Sequence, residues 1–169
     1  MYDKFVDRGI TIALNKPALV TGTTSTITTT VTSSHVCNGK FQTPQTALTN
    51  AVTPTLDYNT GLAFTALNGA TAEGEGCIVV YGYLEGGADG IASVKCMQGK
   101  KQTLDSAGLF KMSPQFPNIP NNITPFAYQV LKQYGSATSV TFGTSSWNAT
   151  GFTNAIVHIA QMPLAPQVA

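Results

Sequence analysis

Residues 77–98 read CIVVYGYLEGGADGIASVKCMQ, in which two apolar runs of strand length flank the acidic, glycine-rich turn EGGADG. Two such runs joined by turn-forming residues predict a β-hairpin. The first run, residues 77–84, is apolar at nearly every position instead of at every second one. A strand of that kind is typical of the centre of a sheet that is covered on both faces. We therefore expect a β protein whose core is built around this strand.

A threonine-rich segment precedes the hairpin along the chain. Eight of the twelve residues from 21 to 32 are threonine, a β-branched residue that favours strands over helices. Side chains alternate between the two faces of a strand, which gives this segment an apolar face and a hydroxyl face. The apolar face comprises Ile27, Val31, His35 and Cys37, and the hydroxyl face comprises Thr26, Thr28, Thr30 and Thr32. We expect one strand with a buried side and an exposed row of hydroxyl groups.

The rest of the chain reads as short strands separated by turns. The further strand candidates are residues 9–14, 62–67, 126–132, 139–142 and 152–160. Four prolines keep residues 105–125 extended, and we expect that segment to cross from one sheet to another. Seven or more short strands predict an all-β fold, an antiparallel β-sandwich or barrel-like fold with an extended N-terminal arm. The arm is residues 1–9, and residues 10–169 form a single β domain.

The chain has few charges. Of its 169 residues 10% are charged, and the net charge is +1, so there is little repulsion to keep copies of the protein apart. Self-association, or docking on a large partner, is the natural expectation. The nine lysines and arginines are dispersed, whereas nucleic-acid binding needs a basic cluster. The sequence therefore predicts no nucleic-acid partner.

The cysteines and the hydropathy indicate a protein made in a reducing cytosol and without a membrane partner. Three cysteines, Cys37, Cys77 and Cys96, are too few for a disulfide framework and lack metal-ligand spacing, so we expect free buried thiols. In a symmetric hairpin Cys77 and Cys96 would lie one diagonal step apart. No apolar run approaches the roughly 20 residues of a membrane helix, and residues 1–14 do not resemble a signal peptide.

Candidate catalytic groups are sparse, and we predict neither an enzyme nor a cofactor or metal site. A serine hydrolase needs an imidazole, and the histidines are His35 and His158, of which His158 is interpreted as structural. Paired carboxylates could come from Glu73, Glu75, Glu85, Asp89 and Asp105, but acidic residues in glycine-rich turns are expected to be solvated. The hydrolase hypothesis considers Glu73, Glu75 or Asp105. A small hydrolase using those carboxylates is the least favoured hypothesis.

The single tryptophan, Trp147, leaves three interpretations open. Flanked by Phe142 and Phe152, it could stack on a sugar, anchor the core, or bury itself at a subunit contact. The sugar interpretation leads to an alternative function, a carbohydrate-binding module or head-fibre domain that uses Trp147, Tyr128 and Tyr134.

Several phrases of the sequence resemble a known family. TPFAYQVLK, then a short Ser/Thr hairpin, then FGTSSWNATGFT and a last strand ending in MPLAP is similar to the layout of decoration or cement proteins of tailed bacteriophages. The resemblance spans about residues 10–165 and includes the threonine-rich strand, the central hairpin and the crossover FPNIPNNITPFAY.

The resemblance implies a structural, non-catalytic virion protein. Such a protein lies on the outer capsid surface, is assembled in the cytoplasm of the bacterial host, and braces neighbouring capsomers. Its partners would be the major capsid protein and further copies of itself, commonly as a homotrimer. From the arm, the threonine-rich strand and the aromatic loops we select the candidate interface residues Tyr2, Phe5, Thr24, Thr26, Thr28, Thr30, Tyr134, Trp147 and Asn148.

Overall fold

The computed structural model describes residues 9–70 and 72–167. The predicted arm, with Tyr2 and Phe5, lies outside these residues apart from Gly9, so the arm and the domain boundary stay predictions. The described chain forms eleven strands and one 3-10 turn, Ile91–Ser93. The strands are β1 (Ile12–Ala13), β2 (Leu19–Thr21), β3 (Thr26–Thr29), β4 (His35–Cys37), β5 (Lys40–Phe41), β6 (Ala51–Val52), β7 (Gly74–Leu84), β8 (Val94–Gln98), β9 (Gln102–Leu104), β10 (Ile123–Gln133) and β11 (Phe152–His158).

The strands pair into three antiparallel sheets, which confirms the prediction of an all-β, sandwich-like fold. The central sheet has the order β11-β10-β7-β8, and β9 continues the β8 edge of β7. The two smaller sheets have the orders β1-β4-β5 and β2-β3-β6. Two predicted strands, residues 62–67 and 139–142, shrink to isolated bridges, one between Leu67 and Val140 and one between Ala63 and Leu56.

The predicted hairpin is present as β7 and β8, with β7 at the centre of the sheet. Every residue of β7 from Gly76 to Tyr83 is buried, as expected for a strand covered on both faces. The connection is longer than predicted because residues 91–93 form the 3-10 turn. This shift places Cys96 opposite Tyr81, so Cys96 lies farther from Cys77 along the strand than a symmetric hairpin would put it.

Two clusters of buried side chains cover the two faces of β7. Alternate residues of β7 supply each cluster: Cys77, Val79, Tyr81 and Tyr83 join the larger one, and Ile78 and Val80 join the smaller. The inner residues Ala13, Leu19 and Ile27 of the two small sheets also belong to the larger cluster. The small sheets therefore pack on one face of the central sheet.

A β-bulge explains how β10 tolerates a proline. The register against β7 shifts between Pro125 and Ala127, and proline, which has no N–H to donate to the ladder, is accommodated at such irregularities. Both Phe126 and Ala127 then contribute to the larger cluster. The neighbouring Tyr128 contributes to the smaller cluster.

Residues 105–122 do not cross between sheets, and that prediction is wrong. They connect β9 to β10, which are both strands of the central sheet on opposite sides of β7. On the way they cover the smaller cluster, where Phe116 meets the Tyr128 ring edge-on at 5.0 Å. A Cβ at Gly76 would lie 2.7 Å from Cε1 of Phe110, so this position of β7 has room only for glycine.

The prediction of one long threonine-rich strand is also wrong. β3 ends at Thr29, Val31 is 44% exposed, and His35 and Cys37 lie in β4 of the other small sheet. Ser33, between the two strands, forms a backbone bridge with Gln45 through bonds of 2.7 and 2.8 Å. The alternation of the sequence continues through this region, but the chain changes its pairing partner.

A buried polar network crosses the larger cluster. The Tyr81 hydroxyl donates to Oε1 of Gln129 at 2.6 Å, and Nε2 of Gln129 donates to Oδ1 of Asn154 at 2.9 Å. Tyr81 and Gln129 are fully buried. The network satisfies polar groups that could not otherwise be buried without cost.

Replacing Gln129 with leucine is expected to lower the free energy of unfolding by about 1–3 kcal/mol, because the buried Tyr81 hydroxyl loses its acceptor. Urea unfolding followed by circular dichroism measures the loss. In the double variant with Tyr81→Phe the unpaired hydroxyl is absent, so part of the lost stability should return. A double variant that is destabilised by the full sum of the single changes would contradict this coupling.

Candidate interaction surfaces

The predicted hydroxyl row lies on the outward face of the β2-β3-β6 sheet. Val20 is paired with Thr28, and Thr26 is paired with Val52, and paired residues point to the same face. We call these four side chains the threonine face. Val20 and Val52 are 50% and 64% exposed, and Thr26 and Thr28 are half-buried. The Thr28 hydroxyl accepts a hydrogen bond from the Asn50 N–H at 3.1 Å, which ties the strand to the next loop.

Thr24 and Thr30 border the threonine face without belonging to its ladder. Thr24 is exposed in the bend between β2 and β3, and Thr30 is exposed just after β3. The Thr30 N–H donates to the Ala18 carbonyl at 3.2 Å, which ends the strand pairing at that point. All four predicted threonines thus lie at or beside one uncharged surface.

Trp147, selected from the sequence as a candidate interface residue, packs in the core, which is one of the three interpretations that the sequence leaves open. Its side chain is 5% exposed and packs between Phe142 and Phe152, with ring centroids 5.7 and 6.2 Å away. Its Nε1 donates to the Thr26 carbonyl at 2.9 Å. The indole therefore fastens the loop before β11 to the inner side of β3, and it is not presented to a partner.

Asn148 and Tyr134 occupy other positions. Asn148 is exposed, and its Nδ2 donates to the Thr23 carbonyl at 3.4 Å, which places it near the threonine face. Tyr134 is half-buried at the end of β10 and packs over Gly108, where a Cβ would lie 2.5 Å from its ring. These contacts bring Asn148 near the predicted threonines, whereas Tyr134 packs on the turn that follows β9.

A second outward surface was not identified in the sequence analysis. Across the β1-β4-β5 sheet, Ile12 is paired with Val36 and Val36 with Phe41. Ile10 and Leu14 continue the same side of β1, because Gly39 N–H bonds to the Ile10 carbonyl and Leu14 N–H to the Ser34 carbonyl. We call these five side chains the apolar face. The intervening pair, Ala13 and His35, is buried against the core.

Three side chains of the apolar face are strongly exposed, whereas Ile12 and Val36 are half-buried. Phe41 is 69% exposed, Ile10 66% and Leu14 50%. Single exposed apolar residues are ordinary, but contiguous apolar patches on soluble proteins mark interaction sites. The alternation of Ile10, Ile12 and Leu14 in GITIALN could have revealed this face.

The carboxylates considered as catalytic groups form ion pairs and hydrogen bonds with neighbouring residues. Glu73 pairs with Lys111, and Glu75 pairs with Lys101 at 2.8 Å. Burial raises the pKa of Glu75, but the Asn68 N–H and the Lys101 ammonium outweigh it and hold the pKa below its usual value. Asp105 accepts bonds of 2.9 Å from the N–H groups of Ala107 and Leu109 in its own turn.

The histidines and cysteines are also placed in structural surroundings. Nε2 of His158 accepts a 2.8 Å bond from the Leu19 N–H, which joins β11 to β2. The three thiols are buried and free, and burial raises the pKa of Cys77 to about 12. Within the described ranges no three His, Cys, Asp or Glu side chains are grouped so that they could hold a metal ion.

A groove of about 700 Å³ runs beside the apolar face. It is lined by Ile10 and Asn38 on one side and by Ile119, Ile123 and Met162 on the other. None of its described lining residues is ionisable. For residues 9–70 and 72–167, no helix is long and apolar enough to span a membrane.

Comparisons of the chain with protein-family models, with curated proteins and with solved structures return no match.

Proposed function

We propose that this chain is a structural, non-catalytic virion protein that decorates and stabilises the capsid of a tailed bacteriophage by bridging neighbouring capsomers. The observation that carries the proposal is the threonine face, an outward sheet surface without charge. It supplements the resemblance of the sequence to decoration proteins. In this proposal the protein lies on the outer capsid surface and binds the major capsid protein after assembly in the host cytoplasm.

The threonine face is suited to a large, shallow contact. Its hydroxyl groups can exchange hydrogen bonds with water for bonds to a partner, and Val20 and Val52 add apolar area. Because the face carries no charge, burying it avoids the cost of desolvating ions. Asn148, Thr24 and Thr30 extend the same surface with further uncharged polar groups.

Two of the three aromatic rings that the carbohydrate-binding alternative needs are not accessible to a sugar. Trp147 and Tyr128 are buried in the core, and only Tyr134 keeps part of its surface. Stacking on a sugar requires an exposed ring face. We therefore do not propose that function.

The proposal is tested by adding the purified protein to phage capsids that lack it. We expect the protein to co-sediment with the capsids and to raise their melting temperature. Val52→Asp puts a charge in the middle of the proposed contact and should weaken binding about tenfold or more. Leu62→Asp, at an equally exposed site outside the face (68%), is the matched control and should bind as the parent does. Failure of the parent protein to bind any capsid would refute the proposal, and equal binding of both variants would remove the threonine face from it.

A further inference from the structure

We infer that the apolar face of the β1-β4-β5 sheet packs against the same face of a second copy of this chain. The inference concerns a different surface from the proposed capsid contact. Self-association through this face does not require a capsid. The inference can therefore be tested independently of the proposed capsid binding.

The arrangement of the side chains supports a flat sheet-to-sheet contact. Ile12, Val36 and Phe41 form a row directly across three hydrogen-bonded strands, flanked on β1 by Ile10 and Leu14. Two sheets that pack face to face lie about 10 Å apart, with their side chains interdigitated. A row of this kind on each copy supplies one half of such a layer.

The charge distribution favours a second copy over a different partner. When a surface pairs with itself about a two-fold axis, any charge on it meets the same charge of the partner across or near the axis. The five side chains of the apolar face carry no charge. Lys40, the nearest charge along β5, alternates to the opposite side of the strand from Phe41. Among the described residues, self-pairing of these five side chains therefore brings no like charges together, and a charged partner would find no opposite charge on them.

The size of the face predicts how strong the pairing is. It comprises five side chains, against the roughly 20–30 residues that each partner contributes to a standard stable complex. We expect a reversible pair whose population rises with protein concentration. Packing through one face also differs from the trimer that the sequence resemblance implies.

Sedimentation equilibrium of the full chain over a range of concentrations tests the inference. The parent protein should shift from monomer to dimer with increasing concentration. Phe41→Asp places two like charges in the contact and should raise the dissociation constant at least about tenfold, and the milder Phe41→Ala should raise it less. Leu62→Asp, equally exposed but outside the face, should dimerise as the parent does. Circular dichroism checks that each variant is folded.

Cross-linking supplies a measurement that does not depend on weakening the contact. Val36 is at the middle of the row, so under mild oxidation Val36→Cys should form a disulfide between copies. Cys37, Cys77 and Cys96 are buried, and burial raises the pKa of each, so the new thiol is the reactive one. Val52→Cys on the threonine face is the matched control and should stay reduced. A monomer at all concentrations, or a trimer in which Val36→Cys does not cross-link to itself, would overturn the inference.

Discussion

Replacing Trp147 with alanine is expected to lower the free energy of unfolding by about 3–5 kcal/mol. The indole is 5% exposed and packs against Phe142 and Phe152, so its removal leaves a cavity between the β3 strand and the loop before β11. The change also leaves the Thr26 carbonyl without the Nε1 donor. Denaturant unfolding followed by far-ultraviolet circular dichroism measures the loss, since the fluorescence of the only tryptophan disappears with the substitution.

Two further variants separate packing from other effects of the substitution. Trp147→Phe keeps an aromatic ring but not the hydrogen bond, and should cost less than the alanine variant. Leu62→Ala removes a side chain that is 68% exposed and should change stability by no more than about 0.5 kcal/mol. If Trp147→Ala were as stable as the parent but no longer associated with itself or with capsids, the core assignment would be wrong.

The sequence predicted the centre of the fold because the necessary information is local there. In β7, apolar residues at consecutive positions indicate burial on both faces of the strand. The glycine-rich turn indicates that the chain reverses direction into β8. The register was not predictable in the same way. Residues 91–93 form a 3-10 turn, and this shifted Cys96 to the position opposite Tyr81.

The threonine-rich segment shows where local information ends. Its alternation continues from Ile27 to Cys37, yet the chain leaves one small sheet after Thr29 and enters the other at His35. The change is fixed by the pairing of Ser33 with Gln45, a contact between separate segments that no periodicity reports. Trp147 is a similar case, because flanking aromatic residues are equally compatible with a core and with an interface.

Of the two candidate surfaces, the threonine face was predicted from the sequence and the apolar face was not, for a related reason. Alternation identifies two faces of a strand but does not say which one is buried. In the threonine segment the polar side was the natural outward side, and Thr26 and Thr28 do point outward. In β1 the small Ala13 points inward and the larger Ile12 outward, against the usual trend. Packing of this small sheet against β10 and against Tyr83 of β7 therefore decided the orientation, and the apolar face followed from it.

Below pH 6.5 the free energy of unfolding is expected to decrease by up to about 1.4 kcal/mol per pH unit because of His35, until the lowered pKa of the folded state is reached. The ring is fully buried and stacks on Tyr83 at 5.0 Å, and neither of its nitrogen atoms has a hydrogen-bond partner within residues 9–70 and 72–167. Burial lowers the pKa of His35 from its ordinary value of 6.5. Unfolding by urea at a series of pH values measures the decrease.

The direction of this pH dependence follows from the number of protons that the folded and unfolded states bind. Below pH 6.5 the unfolded chain takes up a proton on His35, while the folded chain excludes it because the lowered pKa has not been reached. Unfolding then consumes a proton, so acid favours it. The stability from His35 is complete above pH 6.5 and is lost as the pH falls towards the folded pKa. Glu75 and Asp89, whose pKa values are lowered from 4.5 and 3.8, lose their stabilising effects at more acidic pH.

The groups around His35 define the controls. The Tyr83 ring stacks on it, Cys37 follows on the same side of β4, and Asp89 acts on Tyr83 from the turn after β7. Burial raises the pKa of Tyr83 to about 12 and that of Cys37 above its usual value, so both stay neutral in this range. His35→Phe keeps a ring against Tyr83 without a titrating group and should flatten the pH dependence just below pH 6.5. Tyr83→Phe keeps His35 and should preserve the slope. His158 is present in the parent and in both variants. If the unfolding free energy of His35→Phe still decreased with pH as that of the parent does, the acid sensitivity would belong to a group other than His35.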